Sequence, residues 1–164
     1  DGKEFDILYF NPNIHPQEEY QKRLDTQKKL IQLMKTKNRV ELFCDEYLPQ
    51  EFFALTRGLE NEKEGGARCD KCFEQRLERT AALAQKKGFD FFTTTLTVSP
   101  HKDAQRINAI GQSLAKKYGV RFLPSDFKKK SGFLQSIRFS EEYGLYRQNY
   151  CGCSFSINQN IDKP

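Results

Sequence analysis

The sequence predicts an α/β domain in which a mostly parallel sheet is flanked by helices. Short runs rich in aromatic and β-branched residues alternate with longer segments whose apolar residues recur at helical spacing. Repeated alternation of this kind is typical of parallel sheets, since each helix carries the chain back to start the next strand. The length of 164 residues fits a single domain, 1–164, with a substantial core.

The elements follow in order along the chain. Strands are predicted at residues 5–10, 39–43, 89–97 and 120–124. Helices are predicted to begin near Pro16, Pro49, Cys69, Ser99 and Ser131. Glycines mark the expected helix ends, at Gly58, Gly88, Gly119 and Gly144. Residues 145–164 are expected to form an irregular tail.

Unusual residues cluster where the predicted strands end. The carboxyl ends of parallel strands share one edge of the sheet, and ligand sites gather there. The rule places four segments on one rim, together with the start of the helix near Cys69. These segments are 11–15, 44–45, 93–97 and 125–130.

Two close cysteine pairs carry the clearest chemical signal. Cys69 and Cys72 lie within one turn at a helix start, where the positive end of the helix dipole favours a thiolate. Cys151 and Cys153 form a second pair around a glycine. Four thiolates suit a structural zinc ion, an iron ion or an iron–sulfur cluster, and a redox dithiol is a further alternative. Cys44 has no near partner and is interpreted as a small buried residue.

Charge and hydropathy narrow the class of protein. The 27 basic and 22 acidic residues leave a net charge of +5, which is weak support for an anionic partner. The sequence contains neither a membrane-spanning apolar run nor an export signal, so we expect a cytoplasmic protein without a membrane partner. In a reducing cytoplasm, metal binding or redox chemistry is a better explanation of the cysteines than a disulfide framework.

Several further residues are candidates for the same rim. Asp126 directly follows a predicted strand, as a catalytic carboxylate or a helix cap would. Arg147 and Tyr150 flank Cys151 and could form a platform for a nucleotide. The run Lys128, Lys129 and Lys130 could contact phosphate or be a solvated turn. His15 and His101 stand beside prolines and are interpreted as hydrogen-bonding loop residues.

Five segments occur in a fixed order: YFNPNIHPQEEYQKRL, GLENEKEGGARCDKCFEQRLERTA, FDFFTTTLTVSPHKD, FLPSDFKKKSG and EYGLYRQNYCGCSFS. Together they resemble the QueH family of epoxyqueuosine reductases, from about residue 7 to residue 156. The resemblance implies a fold related to nucleotide-binding α-hydrolase domains. It also implies the last step of queuosine biosynthesis, in which an epoxide on the wobble base of tRNA is reduced to an alkene without cobalamin.

The resemblance also implies cofactors. Members of the family carry a [4Fe–4S] cluster with an adjacent iron, which makes Cys69, Cys72, Cys151 and Cys153 metal ligands and Asp126 a candidate acidic group. Lys128, Lys129, Lys130, Arg147 and Tyr150 become candidate contacts to tRNA. The electron donor is not identified. The alternative from another class is a zinc-stabilised module that binds RNA or protein, and a third is a thiol–disulfide oxidoreductase.

One feature of the family is not found in the sequence. Its members carry a strand and a Cys-Cys-x-Pro-Cys motif ahead of the segment with which these 164 residues begin. We therefore expect this chain to be an N-terminally truncated form that is inactive alone.

Overall fold

A computed structural model describes residues 4–127 and 131–157. The helices of this described part are α1 (Gln17–Leu33), α2 (Pro49–Leu55), α3 (Ala67–Lys87), α4 (Ala104–Tyr118), α5 (Gly132–Glu142) and α6 (Ser154–Ile157). The strands are β1 (Ile7–Tyr9), β2 (Leu42–Cys44), β3 (Phe91–Phe92) and β4 (Arg121–Phe122). The alternation of strands and helices confirms the predicted α/β class.

The strands pair in parallel, as predicted. Ile7 of β1 lies opposite Leu42 of β2, and Phe91 of β3 lies opposite Arg121 of β4. Among the described residues these are two separate two-stranded sheets, where the sequence had predicted one sheet. The chain divides accordingly into two compact units, the first formed by Asp1–Ala54 with Ile137–Pro164 and the second by Leu55–Ser136.

The core of the first unit is aromatic. Tyr20 and Leu24 are four residues apart, so both point from the same face of α1 and both are buried. Tyr20 meets the edge of Tyr9 at 5.2 Å between ring centroids and stacks on Tyr47 at 4.2 Å. The Tyr9 hydroxyl donates to the Tyr20 carbonyl, so the polar end of this buried side chain is satisfied.

The core of the second unit lies between α3, α4 and the β3–β4 sheet. Its buried residues recur at helical spacing on both helices, with one on each strand and one just before β4. They are Phe73, Leu77, Ala81, Ala84, Phe92, Ile107, Leu114, Val120 and Phe122. Gly111 of α4 lets the Phe122 ring approach closely, since a Cβ there would lie 2.5 Å from the ring. Gly88 and Gly119 end the two helices in the left-handed conformation, as predicted.

The strand predicted at 89–97 was too long. The structure forms a strand only at Phe91–Phe92 and a 3-10 turn at Leu96–Val98. The threonines between them use their hydroxyls on the backbone: Thr93 donates to the Leu123 carbonyl, and Thr94 accepts from the Leu96 amide. The Thr94 bond spans only two residues, and local bonds of this kind compete with the ladder of a sheet and turn the chain.

The helix predicted to begin near Ser99 begins later, at Ala104. The Asp103 carboxylate accepts hydrogen bonds from the amides of Gln105 and Arg106, which is the bonding pattern of a helix N-cap. In the tail predicted to be irregular, Ser154–Ile157 form one helical turn. None of the described helices is long and apolar enough to span a membrane.

Candidate metal-ligating cysteine pairs

None of the five cysteines is in a disulfide. Cys72 and Cys153 are buried at 9% and 6% exposure, and Cys69 and Cys151 are partly buried. Cys44, which was expected to be buried, is exposed, because it is the last residue of β2 where the strand leaves its sheet. The two pairs lie in different units, so their convergence in one pocket stays a prediction.

The first pair lies at the start of α3. Cys69 and Cys72 are the third and sixth residues of a helix whose N-cap is Gly66. The Gly65 amide donates to the Cys69 sulfur at 3.1 Å. An N–H bond to sulfur, added to the positive end of the helix dipole, stabilises negative charge on that sulfur.

The loop before this helix is organised by Arg68. The Arg68 side chain is 1% exposed, and its Nη1 donates to three loop carbonyls at 2.7 to 3.0 Å, those of Leu59, Glu60 and Glu62. The Glu62 carboxylate accepts from the Ala67 amide at 3.1 Å and so caps the helix start. A Cβ at Gly66 would lie 2.3 Å from that carboxylate and 3.1 Å from the Lys63 carbonyl oxygen, so a larger residue there would displace the capping carboxylate.

A second arginine reaches the same loop from α4. Arg106 donates to the Gly65 carbonyl at 2.5 Å and to the carboxylate of Asp70. Gly65 is therefore held through its carbonyl while its amide bonds the Cys69 sulfur. The sequence had shown this loop only as a charged, glycine-ended segment.

Replacing Gly65 by Ala should destabilise the protein by about 1 to 2 kcal/mol, because its φ of +89° is one that residues with a Cβ rarely adopt. We also expect slower alkylation of Cys69 at neutral pH, since relaxing the strain moves away the amide that stabilises the thiolate, which is the form that reacts. The measurement is mass spectrometry of each thiol in metal-free protein. Gly88→Ala, at φ +74° on the other end of α3, is the matched control and should destabilise without changing Cys69. Equal alkylation in both variants would contradict the role of the Gly65 amide.

The second pair is held from α1 and from the loop before it. Arg23 donates to the carbonyls of Tyr150 and Cys151, each at 3.1 Å, and its Nε pairs with Glu19 at 2.7 Å. The His15 amide donates to the Gly152 carbonyl at 2.8 Å. The loop segment NPNIHP thus lies directly against the Cys-Gly-Cys backbone.

Gly152 can only be glycine in this arrangement. Its φ is +110°, and a Cβ would lie 2.9 Å from Ile14 Cγ1 and 3.0 Å from Arg23 Nη1. The residue between the two cysteines therefore determines how closely the pair approaches the loop.

Ser156 joins both cysteines of this pair. It is 1% exposed, its hydroxyl donates to the Cys153 carbonyl at 2.7 Å, and its Oγ lies 3.2 Å from the Cys151 sulfur. A hydroxyl has one proton, so the neutral Cys151 thiol must donate to Ser156 in this arrangement. A Cys151 thiolate would require the hydroxyl to turn towards the sulfur.

His15 packs between aromatic rings beside the second pair. It is 8% exposed and stacks on Phe53 at 4.5 Å between ring centroids, with Phe52 at 5.5 Å. Burial lowers the pKa of His15 below its ordinary 6.5, and the neighbouring Pro12 backbone only partly offsets this.

This lowered pKa predicts a pH dependence of stability. As pH falls below the ordinary pKa of about 6.5, His15 becomes protonated in the unfolded chain but stays neutral in the native protein. The contribution of neutral His15 to stability is therefore complete above that pH. It is lost as pH falls towards the lowered pKa of native His15. We expect the urea midpoint of metal-free protein to drop more between about pH 7.5 and about pH 5.5 than that of His15→Gln. Parallel pH profiles would show that His15 titrates normally.

The remaining predicted site residues are placed as follows. Asp126 is partly buried and directly follows Ser125. Ser125 is held by the Asn108 side chain, which bonds its amide at 3.2 Å and its carbonyl at 3.0 Å, and by Thr97 at 3.0 Å. The residue directly before Asp126 is therefore held by side-chain hydrogen bonds, and the catalytic role of Asp126 stays a prediction.

The candidate RNA contacts differ in their surroundings. Arg147 is exposed and bonds the Ser140 hydroxyl at 3.2 Å. Tyr150 is partly buried, its hydroxyl donates to the His15 carbonyl, and the Arg23 guanidinium lies 5.1 Å from its ring. Burial, followed by the Glu19 carboxylate, raises the pKa of Tyr150. Lys128, Lys129 and Lys130 lie outside the described residues.

No group of three or more His, Cys, Asp or Glu side chains within residues 4–127 and 131–157 is close enough to hold a metal ion. The donor chemistry nevertheless fits a thiophilic metal group, since four cysteines outside any disulfide occur in two close pairs. One sulfur of each pair also has a hydrogen-bonding neighbour, Gly65 or Ser156.

The sequence did not indicate the roles of Arg23, Arg68 and Ser156. The signal that could have found them is that all three lie inside the motif segments that support the family resemblance.

Comparison with known proteins gives a consistent result. Residues 1–159 match a protein family described as epoxyqueuosine reductase QueH. A protein of that name from Streptococcus pyogenes is 44% identical over 159 residues, covering 95% of this chain and 62% of its own length. Its namesake from Staphylococcus epidermidis is 43% identical, with 95% and 68% covered. The namesake from Thermotoga maritima is 35% identical, with 98% and 83% covered. The chain thus spans about three fifths of the streptococcal relative.

Proposed function

Since the chain belongs to the QueH family of epoxyqueuosine reductases, we propose that the protein reduces epoxyqueuosine to queuosine at the wobble position of tRNA. The observation that carries the proposal is the match of residues 1–159, which includes both cysteine pairs. The family is one of oxidoreductases, and this step would complete queuosine biosynthesis. Because tRNA is modified in the cytoplasm, the proposal includes a cytoplasmic location.

The reaction determines what the protein has to supply. Turning the epoxide into an alkene breaks both carbon–oxygen bonds and consumes two electrons and two protons, and the oxygen leaves as water. Cysteine, aspartate and lysine side chains do not themselves deliver electrons one at a time at low potential, so a redox group is needed. The residues do not identify the external electron donor.

We propose Cys69, Cys72, Cys151 and Cys153 as ligands of an iron–sulfur cluster of the [4Fe–4S] type with an adjacent iron. Their support is the chemistry of the donor set: cysteines outside any disulfide, half of them buried, with Gly65 and Ser156 hydrogen-bonded to sulfur. When bound, such a group supplies single electrons, and an adjacent iron supplies a Lewis acid. A zinc ion on the same thiols is the alternative.

The remaining roles belong to the chain itself. Arg68 and Arg106 hold the loop that presents Cys69, and Arg23 holds the backbone of Cys151. Asp126, which directly follows the hydrogen-bonded Ser125, is the candidate acid for holding the adjacent iron or a proton.

The anionic tRNA calls for a basic, aromatic surface. Lys128, Lys129 and Lys130 are proposed to contact phosphates. Arg147 and Tyr150 are proposed to contact an unstacked base, which is how single-stranded RNA is commonly recognised.

The test uses full-length protein purified and reconstituted with iron and sulfide under anaerobic conditions. It is given tRNA carrying epoxyqueuosine and dithionite as the reductant, and the nucleosides are separated by mass spectrometry. Conversion to queuosine is expected, together with broad absorption near about 400 nm from thiolate-to-iron charge transfer. A colourless zinc protein that binds tRNA and leaves the epoxide intact would favour the zinc-stabilised binding module.

A further inference from the structure

Arg23 uses every nitrogen of its guanidinium on a specific partner. Its Nε pairs with the Glu19 carboxylate at 2.7 Å, Nη1 donates to the Cys151 carbonyl and Nη2 donates to the Tyr150 carbonyl. The side chain is 9% exposed, and Glu19 is 12% exposed. These contacts join α1 to a segment 127 and 128 residues further along the chain.

The next carbonyl of the same segment is also bonded. The His15 amide donates to Gly152, so the consecutive carbonyls of Tyr150, Cys151 and Gly152 each accept from a group in residues 15–23. Gly152 lies so close to Ile14 and Arg23 that an added Cβ would press against both. The segment therefore has little room to shift towards α1. The backbone between the two cysteines is thereby held in one conformation by the protein itself.

Glu19 is itself held in place. The Tyr146 hydroxyl lies 3.0 Å from both of its carboxylate oxygens, and burial and this bond together raise the pKa of Tyr146. Tyr146 therefore fixes the Glu19 carboxylate, which in turn orients the Arg23 guanidinium. A planar fork oriented in this way can bond two adjacent carbonyls at once, which a lysine ammonium on a flexible stem does poorly.

We propose that Arg23 is a positioning residue that sets the backbone of Cys151–Gly152–Cys153, so that the two thiols are arranged for a metal group before it binds. The ligand role of the thiols rests on the proposed function, whereas the ordering of their backbone does not. Side chains that orient metal ligands commonly contribute about 10- to 100-fold to metal affinity.

The test begins with metal-free full-length protein and measures the alkylation rate of each cysteine by mass spectrometry. Arg23→Gln and Arg23→Lys should each accelerate Cys151 and Cys153 by about tenfold or more, because the charge-assisted bonds that close the segment are lost. Cys69 and Cys72 are internal controls of matched exposure and should keep their rates. Lys29→Met is the control variant: its Nζ also ties α1 to a C-terminal carbonyl, that of Gly144, but on the surface.

A second measurement determines iron and zinc binding by the same variants. Both Arg23 variants should lower metal affinity by about 10- to 100-fold, and Lys29→Met should not. Faster alkylation of all five cysteines would indicate general loss of the fold and would overturn the inference, as would full rescue by lysine or unchanged rates. If the alkylation contrast appears while wild-type protein never reduces the epoxide, the proposed function fails and the positioning role stands.

Discussion

Serine in place of Cys72 or Cys153 should abolish tight metal binding and lower turnover of epoxyqueuosine by about a thousandfold or more. Losing a residue that only orients a ligand costs about 10- to 100-fold in affinity or activity, and losing the ligand itself should cost more. A serine hydroxyl has neither the charge nor the softness of a thiolate, so it cannot replace either cysteine as a ligand. Both cysteines are also buried. The measurements are iron and sulfide content and single-turnover conversion of the tRNA.

Cys44→Ser is the control for this prediction. Cys44 is exposed at the end of β2 and belongs to neither pair, so metal content and turnover should match those of the wild type. Circular dichroism of each metal-free variant separates ligand loss from misfolding. A Cys153→Ser protein that keeps its iron and its turnover would remove Cys153 from the ligand set.

The features that the sequence predicted correctly are local ones. The start of α3 near Cys69 and its end at Gly88 follow from spacing and capping within one segment, and the structure has both. The strand at 89–97 was predicted too long because aromatic and threonine content favours strands. The hydroxyls of Thr93 and Thr94, however, bond the backbone in a pattern that composition does not reveal.

The surroundings of the cysteines could not be predicted in the same way. Arg23 and Cys151 are 128 residues apart, and no periodicity connects them. Arg68 is the second residue of α3 and directly follows a charged loop whose sequence resembles a solvated surface segment, yet it is almost fully buried. The choice of partners for a buried arginine is made by tertiary packing, so residue spacing carries little information about it.

Arg68→Met should lower the free energy of unfolding by about 2 to 4 kcal/mol, the second large effect that we expect. Methionine has a similar length but donates no hydrogen bonds, so the carbonyls of Leu59, Glu60 and Glu62 would lose the donor that Nη1 provides. Buried carbonyls without a donor are costly, and the loop should open to water instead. Urea unfolding of metal-free protein gives the free energy, and hydrogen exchange of residues 59–66 reports the loop.

The matched control is Arg121→Met. Arg121 is an arginine of the same unit, but its side chain is 69% exposed and pairs with Asp90 at 3.7 Å, so the change should cost less than about 1 kcal/mol. The alkylation rate of Cys69 distinguishes Arg68 from a residue that only stabilises the fold. Opening the loop withdraws the Gly65 amide that stabilises the Cys69 thiolate, so Arg68→Met should slow alkylation of Cys69 relative to that of Cys151. If stability falls while Cys69 keeps its rate, Arg68 supports the fold and has no part in preparing the thiol.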